Sequence, residues 1–284
     1  MPQLTFGGCV LVKVCNIRDN DFNEKFLDSV MNTGFAVITH HGIDFGLIKE
    51  TQAAWKEFFN QKSMYKAEFV NLTDPNMGFK GFGSERAVGA NIADLKEFYH
   101  YKPGQKLPNE AAAVTEKLFH LLNGHLSGQI LQVLDSVTPG TQYKKACEES
   151  DNTILRTLYY PALKDIKVEP GAVRGSAHED INFITLLVAA SSSGLQVRDN
   201  EGAWHDVPFE ENSVVCNIGD MLQLASNRLF KSTTHRVVNP DDSSVDRISM
   251  PLFVHPHGST LLSPGFTAKQ YLDERIAQIY QKVK

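Results

Sequence analysis

Apolar residues recur at three- and four-residue spacing through the first half of the chain and change to short, dense runs in the second. In "DNDFNEKFLDSVMNTG", Phe22, Phe26, Leu27, Val30 and Met31 share one helical face, an Asp/Asn-rich start precedes them, and Gly34 stands where a helix would stop. "FAVITH" predicts a short buried strand, and "FGLIKETQAAWKEFFNQ" a second helix. The opening "CVLVKVCNI" has the character of a strand. From Asn71 to Gly89 the accumulation of Gly, Asn and Asp predicts a long surface loop. Glu110 to Val137 is the longest helical pattern.

After about residue 150 the runs are β-rich and punctuated by turn residues: "TILRTLYY", "FITLLVAA", "GLQVRD", "AWHDVPF", "SVVCNIGDMLQLAS", "TTHRVV" and "RISMPLFVHP". Their close spacing predicts an antiparallel sandwich or barrel rather than alternating βα units. "TAKQYLDERIAQIYQ" predicts a closing helix. No Pro/Gly/Ser linker divides the halves, so the expectation is an α+β unit with a mainly β core spanning residues 1–284. It comprises a mostly helical region at 1–145, a β-core at 150–258 and a C-terminal helix at 266–284.

Composition narrows the class. Hydrophobic residues at 42% and charged residues at 21% are ordinary for a soluble globular protein. A net charge of −5 and a pI near 6.1 argue against nucleic acid or a membrane surface as partner. No run approaches the roughly 20 apolar residues of a membrane span, and no signal peptide is visible. Cys9, Cys15, Cys147 and Cys216 form neither a disulfide framework nor a zinc ribbon, so a cytoplasmic location is expected. Oligomeric state is left open.

The candidate chemistry sits in "GSAHEDINFITLLVAA". His178 and Asp180 stand two apart at the head of an apolar run, where each would cost free energy if simply buried. On a strand, residues i and i+2 face the same way, so both can approach one ion while Glu179 points away. His235 in "STTHRVV" supplies a third ligand. Two imidazoles and a carboxylate make the facial triad of non-haem iron(II) oxygenases, which leaves positions open for substrates. In "DRISMPLF", Arg247 and Ser249 again stand two apart: a planar guanidinium fork and a hydroxyl suited to a carboxylate, with Tyr160 able to add a phenol. Taken singly, each residue has an ordinary alternative, such as a bonded core histidine, a turn aspartate or a surface ion pair of Arg247 with Asp242 or Asp246. G-x-S-x-G and HExxH are absent, and Gly81 and Gly83 do not complete a dinucleotide fingerprint.

In this order the motifs resemble the isopenicillin N synthase-like family of iron(II) and 2-oxoglutarate-dependent oxygenases over nearly the whole chain. The resemblance is carried by "GFAVITHHGI", "DLKEFYHY", "YYP", "HEDINFITLL", "NIGDMLQLASNRLFKSTTHRVVNP" and "RISMPLFVHP". "HEDINFITLL" and "PLFVHPHGS" are closer to bacterial members than to plant ones. The resemblance implies a distorted double-stranded β-helix, or jelly roll, wrapped by N-terminal helices. It implies iron at His178, Asp180 and His235, and 2-oxoglutarate held by Arg247, Ser249 and Tyr160. Where some plant relatives have a co-substrate-binding Asn, this chain has Leu158. The implied reaction consumes dioxygen, yields succinate and carbon dioxide, and hydroxylates, desaturates or cyclises a small-molecule substrate, with ascorbate a candidate reductant. An oxidase of the same family that dispenses with 2-oxoglutarate and a non-catalytic binding protein are the alternatives. Candidates for the substrate wall are the Asn71–Gly89 loop, Phe98 to Tyr101, Arg86 and Phe253. His255 and His257 fall near the pocket mouth, where a loop role is the ordinary alternative.

Overall fold

The structure, a computed structural model, describes residues 12–86, 92–148, 150–164, 166–188 and 190–281. Cys9, the start of the first expected strand and the 87–89 end of the expected loop lie outside the described residues. In chain order come β1 (Val14–Asn16), α1 (Phe22–Thr33), β2 (Phe35–Thr39), α2 (Phe45–Phe59), α3 (Ser63–Ala67), β3 (Gly78–Lys80) and β4 (Glu97–Tyr101). The long helical pattern forms α4 (Ala112–His120), a π-helical turn (Leu121–Leu126) and α5 (Ser127–Asp135), followed by α6 (Tyr143–Glu148). The second half holds β5 (Ile154–Tyr160), β6 (Gly175–His178), β7 (Ile184–Val188), β8 (Leu195–Arg198), β9 (Trp204–Asp206) and β10 (Ser213–Ile218). It closes with α7 (Asp220–Ala225), β11 (His235–Val237), β12 (Arg247–Val254), β13 (Leu261–Ser263), β14 (Phe266–Thr267) and α8 (Ala268–Gln281).

Local chemistry explains the boundaries. Asp44 caps α2 by accepting from Leu47 N at 2.9 Å. Gly34 ends α1 in the left-handed region at φ 74° and donates its N–H to Val30 O. A Cβ there would lie 2.5 Å from both Lys231 O and Thr233 Oγ1, so glycine lets β2 run close against the segment that leads into β11. Two stretches differ from expectation. The loop after Asn71 contains β3, which pairs antiparallel with β4. "GDMLQLAS" is not strand but the short α7. Met221, Leu222 and Leu224 fit either periodicity, and the chain leaves the sheet at Gly219, whose N–H bonds Phe183 O at 2.9 Å, while Asp220 N bonds Asp180 O at 2.7 Å.

The large sheet runs β1-β2-β10-β7-β12-β5-β4-β3 and the small one β6-β11-β8-β9. Pairing is antiparallel throughout both except between β1 and β2. This is the distorted double-stranded β-helix. The first 145 residues supply β1 to β4 as well as helices.

Side-chain alternation decides what each face of the large sheet does. On β12, Ile248, Met250, Leu252 and Val254 join the core shared with α1, α2, α4 and α5, where Trp55 is packed among Phe58, Phe59 and Tyr99 and donates Nε1–H to Thr115 Oγ1 at 2.9 Å. Arg247 and Ser249 therefore face the other way, toward the small sheet. There Phe35, Val37 and Val215 meet Val197 and Val207, and Phe98, Leu158 and Tyr160 meet Val237. Cys15, Cys147 and Cys216 are free and buried; burial raises the Cys15 thiol to about 11 and pushes the other two up as well.

Candidate metal centre and co-substrate pocket

His178 ends β6 and His235 begins β11, and these two residues are direct cross-strand partners. Their ring centroids are 4.4 Å apart. Asp180 lies two residues past the end of β6, in the turn toward β7, rather than within a strand. Its Oδ1 is 3.7 Å from His178 Nε2 and 3.8 Å from His235 Nε2. Bonds of about 2 Å meeting at right or tetrahedral angles place ligand atoms roughly 3 Å apart, so Oδ1 and each Nε2 need close by only about 1 Å or less to hold an ion, and the donor set fits a divalent transition metal. Ligand atoms of the three residues all lie within 4.8 Å of one another.

Each of the three is fixed by a partner on its far side. His178 Nδ1 is 2.8 Å from Ser176 O and His235 Nδ1 is 3.1 Å from Thr233 O. A carbonyl only accepts, so both Nδ1 atoms carry the proton and both Nε2 lone pairs face the centre. Asp180 Oδ2 accepts from Thr185 Oγ1 at 2.5 Å and Asn217 Nδ2 at 2.8 Å, which turns Oδ1 inward. The His235 ring meets Phe35 edge-on at 5.3 Å. On the opposite side of the small sheet, Glu179 accepts from Thr234, tying the two ligand strands together a second time.

Electrostatics favour the neutral form of His178 and the charged form of Asp180. The His178 side chain retains 41% exposure, yet the protein around it and then the facing His235 ring push its pKa below the ordinary imidazole value. Burial alone would raise Asp180; the two imidazoles and the bonds from Asn217 and Thr185 outweigh it and hold the carboxyl below its usual range.

The expected clamp residues gather on the large sheet. Arg247 is paired with Tyr160 and Ser249 with Leu158 across β12 and β5. All four side chains are buried. Arg247 Cζ lies 5.2 Å from the Tyr160 ring centroid, its Nε donates to Ser192 O at 3.1 Å, and its Nη1 is buried without a hydrogen-bond partner. Among the described residues no carboxylate lies within ion-pair distance of it; Asp246 instead pairs with Lys56 at 2.7 Å. An orphaned guanidinium N–H beside a phenol and a hydroxyl fits a carboxylate ligand.

Further along the same interior, the Arg156 guanidinium lies 4.6 Å from the Phe98 ring and 5.3 Å from the Phe253 ring. It pairs with Glu85 at 3.1 and 3.2 Å and donates Nε–H to His100. Lys96 bridges Glu85 at 2.8 Å and Asp94 at 2.7 Å, and Asp94 Oδ1 accepts from Ser176 N at 3.0 Å and Ser176 Oγ at 2.7 Å. His255 and His257 line a cavity of about 410 Å³ together with α8 residues including Lys269 and Leu272. Arg86 is exposed. Sequence reasoning missed Asp94, Thr185 and Asn217. A legible signal existed for the last two, single polar residues inside the apolar runs "FITLLV" and "VVCNI".

Two family profiles match the chain: the 2OG-Fe(II) oxygenase superfamily over residues 151–256, and the N-terminal region described as non-haem dioxygenase in morphine synthesis over residues 15–120. A solved structure from Shewanella oneidensis, described as an oxygenase, is 36% identical, with 95% of this chain and 99% of that one covered and a TM-score of 0.83. A Neurospora crassa protein solved at full length in complex with alpha-KG is 25% identical, covering 93% of this chain and 95% of that one at a TM-score of 0.79. Jasmonate-induced oxygenase 3 of Arabidopsis thaliana is 29% identical over 275 residues, 87% of this chain and 71% of its own length. Bacterial, fungal and plant relatives thus appear together, and no bacterial branch is singled out. The chain belongs to the 2OG-Fe(II) oxygenase superfamily and is an iron(II)- and 2-oxoglutarate-dependent oxidoreductase.

Proposed function

We propose that His178, Asp180 and His235 hold the iron(II), that Arg247, Ser249 and Tyr160 seat the far carboxylate of 2-oxoglutarate, and that the enzyme hydroxylates a small organic substrate. Residues 1–284 act in this reading as one structural unit, with helices at 1–145 and 266–284 buttressing the β-core at 150–258. The observation that carries it is the convergence of two Nε2 lone pairs and one carboxylate oxygen, each fixed from behind. Iron bound there supplies the redox chemistry that couples decarboxylation of 2-oxoglutarate to oxidation of a substrate C–H bond. The alpha-KG bound in the related Neurospora crassa structure supports the same co-substrate here.

The chain's own residues position and shield. His235 and Val237 share one face of β11, roughly 7 Å apart along the strand, so the strand that offers a ligand at one end covers Tyr160 at the other. That reach suits a five-carbon dicarboxylate lying between the triad and Arg247. Phe98, Leu158 and Val237 form an apolar wall around Tyr160 that keeps water from the clamp and strengthens the guanidinium–carboxylate attraction. Phe98 and Phe253, with the Arg156–Glu85 pair between them, offer the substrate a surface of two rings and one balanced ion pair.

The test is anaerobic titration of the iron(II)-loaded protein with 2-oxoglutarate, followed by its weak visible metal-to-ligand charge-transfer band. The band is expected in the wild type and absent in Asp180→Ala, which should also lose iron. Iron binding without a band would favour an oxidase that dispenses with 2-oxoglutarate, and full iron binding by Asp180→Ala would remove the triad assignment.

A further inference from the structure

Arg174 and Arg247 are, at 1% and 2% exposure, two of the most deeply buried cations of the chain. Neither has a carboxylate within 4.0 Å among the described residues. Arg174 immediately precedes β6, and its Nη2 donates to Val245 O and, at 3.5 Å, to Pro161 O. Its Nε, like Nη1 of Arg247, is buried with no hydrogen-bond partner. Both guanidiniums lie against one ring: Cζ of Arg174 is 5.9 Å and Cζ of Arg247 is 5.2 Å from the Tyr160 centroid. The two charges are therefore separated by no more than the sum of those distances, about 11 Å. Isolated buried charges are expensive, and breaking a pair so that one is left uncompensated is strongly destabilising. Here two like charges share a pocket wall, and carbonyls, a phenol ring and the Asp246 carboxylate beyond ion-pair distance offer only partial compensation.

We propose that Arg174 is a second cationic determinant of the co-substrate site, making the clamp a dicationic seat that selects a 2-oxo acid with a second, distal carboxylate. This rests on the reading of Arg247, Ser249 and Tyr160 as the clamp. Arg247 provides the direct contact. Arg174 acts at one remove, packed on Tyr160, and adds attraction that its buried position protects from salt. Burial weakens the protonation of both guanidiniums, and Arg247 adds repulsion at Arg174, while Tyr160 and, at Arg174, Asp246 offset part of this; a carboxylate seated on Arg247 reverses that balance. A unit charge about 11–15 Å away at an effective dielectric near 20 changes affinity by roughly fivefold to tenfold.

The experiment is anaerobic equilibrium binding to iron(II)-loaded protein of two probes, 2-oxoglutarate and 2-oxopentanoate, which has the same carbon chain but no distal carboxylate. The quantity read is the ratio of their dissociation constants. Arg174→Gln should shrink that ratio roughly fivefold to tenfold by weakening 2-oxoglutarate alone. Arg174→Lys should keep the ratio near the wild-type value while lowering thermal stability, because it keeps the charge but loses the planar bonds to Val245 and Pro161. A ratio unchanged in Arg174→Gln overturns the inference, as does a ratio equally reduced in Arg174→Gln and Arg174→Lys. Arg247→Gln separates the two readings. If it collapses the ratio and Arg174→Gln does not, the clamp stands and only the role of Arg174 falls. If Arg247→Gln also leaves the ratio intact, the clamp reading itself fails. Should Arg174→Gln not fold, Arg174→Lys decides alone, because burial beside Arg247 lowers an amine from its ordinary value of about 10.4, so that raising the pH from about 7 to about 10 discharges it while a guanidinium keeps its proton. Its ratio should then fall while that of the wild type holds, and a ratio that stays level in both overturns the inference.

Discussion

Replacing Asp94 with alanine removes the acceptor on which two buried segments converge. Asp94 Oδ1 holds Ser176 N at 3.0 Å and Ser176 Oγ at 2.7 Å, and Oδ2 holds Lys96 Nζ at 2.7 Å. Each hydrogen bond to a charged group contributes about 1.5–3 kcal/mol. The three do not add, because Lys96 keeps Glu85 at 2.8 Å and a serine hydroxyl can rotate toward another acceptor. The expected loss is therefore about 3–5 kcal/mol, the range for breaking a buried pair. At an unfolding entropy near 2.1 cal/mol/K per residue, a chain of 284 residues has about 0.6 kcal/mol/K, so Tm should fall by roughly 5–8 °C. Thermal unfolding of the metal-free protein by circular dichroism measures this. Because Ser176 O is also the acceptor for His178 Nδ1, cobalt(II) affinity by calorimetry should fall about 10–100-fold in the same variant. Asp94→Asn, which keeps one acceptor, should lie between. A Tm within about 1 °C of wild type together with unchanged cobalt affinity would refute the reasoning and mean that β6 is held by its pairing with β11 alone.

Asn217→Ala frees Asp180 Oδ2 from one of its two donors and should weaken cobalt(II) binding by roughly 10–100-fold; equal affinity in calorimetry would contradict the orienting role. Thr115→Val leaves the Trp55 indole N–H buried without an acceptor and should cost about 1–3 kcal/mol in urea unfolding, whereas a neutral result would show that the bond contributes nothing net. His100 is held neutral at about 3 by burial and by the Arg156 guanidinium facing it. The unfolded chain takes up this proton below about 6.5 and the folded one does not, so the contribution is complete above that pH and is lost progressively toward about 3, amounting to a few kcal/mol. His100→Asn should flatten the fall in urea midpoint between about pH 7 and 4.5; an undiminished fall would assign the acid sensitivity elsewhere.

The helices α1 and α2, the β-runs and the one-sided clamp strand were legible because each obeys a single period over several residues. Gly34 was legible as a stop, but its second use, admitting Lys231 and Thr233 beside β2, was not, since that contact spans nearly two hundred residues of chain and has no local pattern. α7 was misread because six residues with apolar Met221, Leu222 and Leu224 fit both periods, and what decides is the backbone bond of Asp220 to Asp180. The candidate ligands were legible from residue type and order. What orients them was not: Ser176 and Thr233 act through main-chain carbonyls, which every sequence position possesses, and Arg174 is notable only because its buried Nε has no hydrogen-bond partner.

The burial of Cys15, Cys147 and Cys216 has a consequence for an enzyme that consumes dioxygen. Oxidation to sulfenic acid needs a thiolate and a route to solvent, and these three thiols have neither. Among the described residues, then, the oxidant handled at the centre meets no accessible thiol. A gain in turnover number on adding ascorbate would accordingly not come from rescue of these three thiols, and a monothiol reductant should leave their state unchanged.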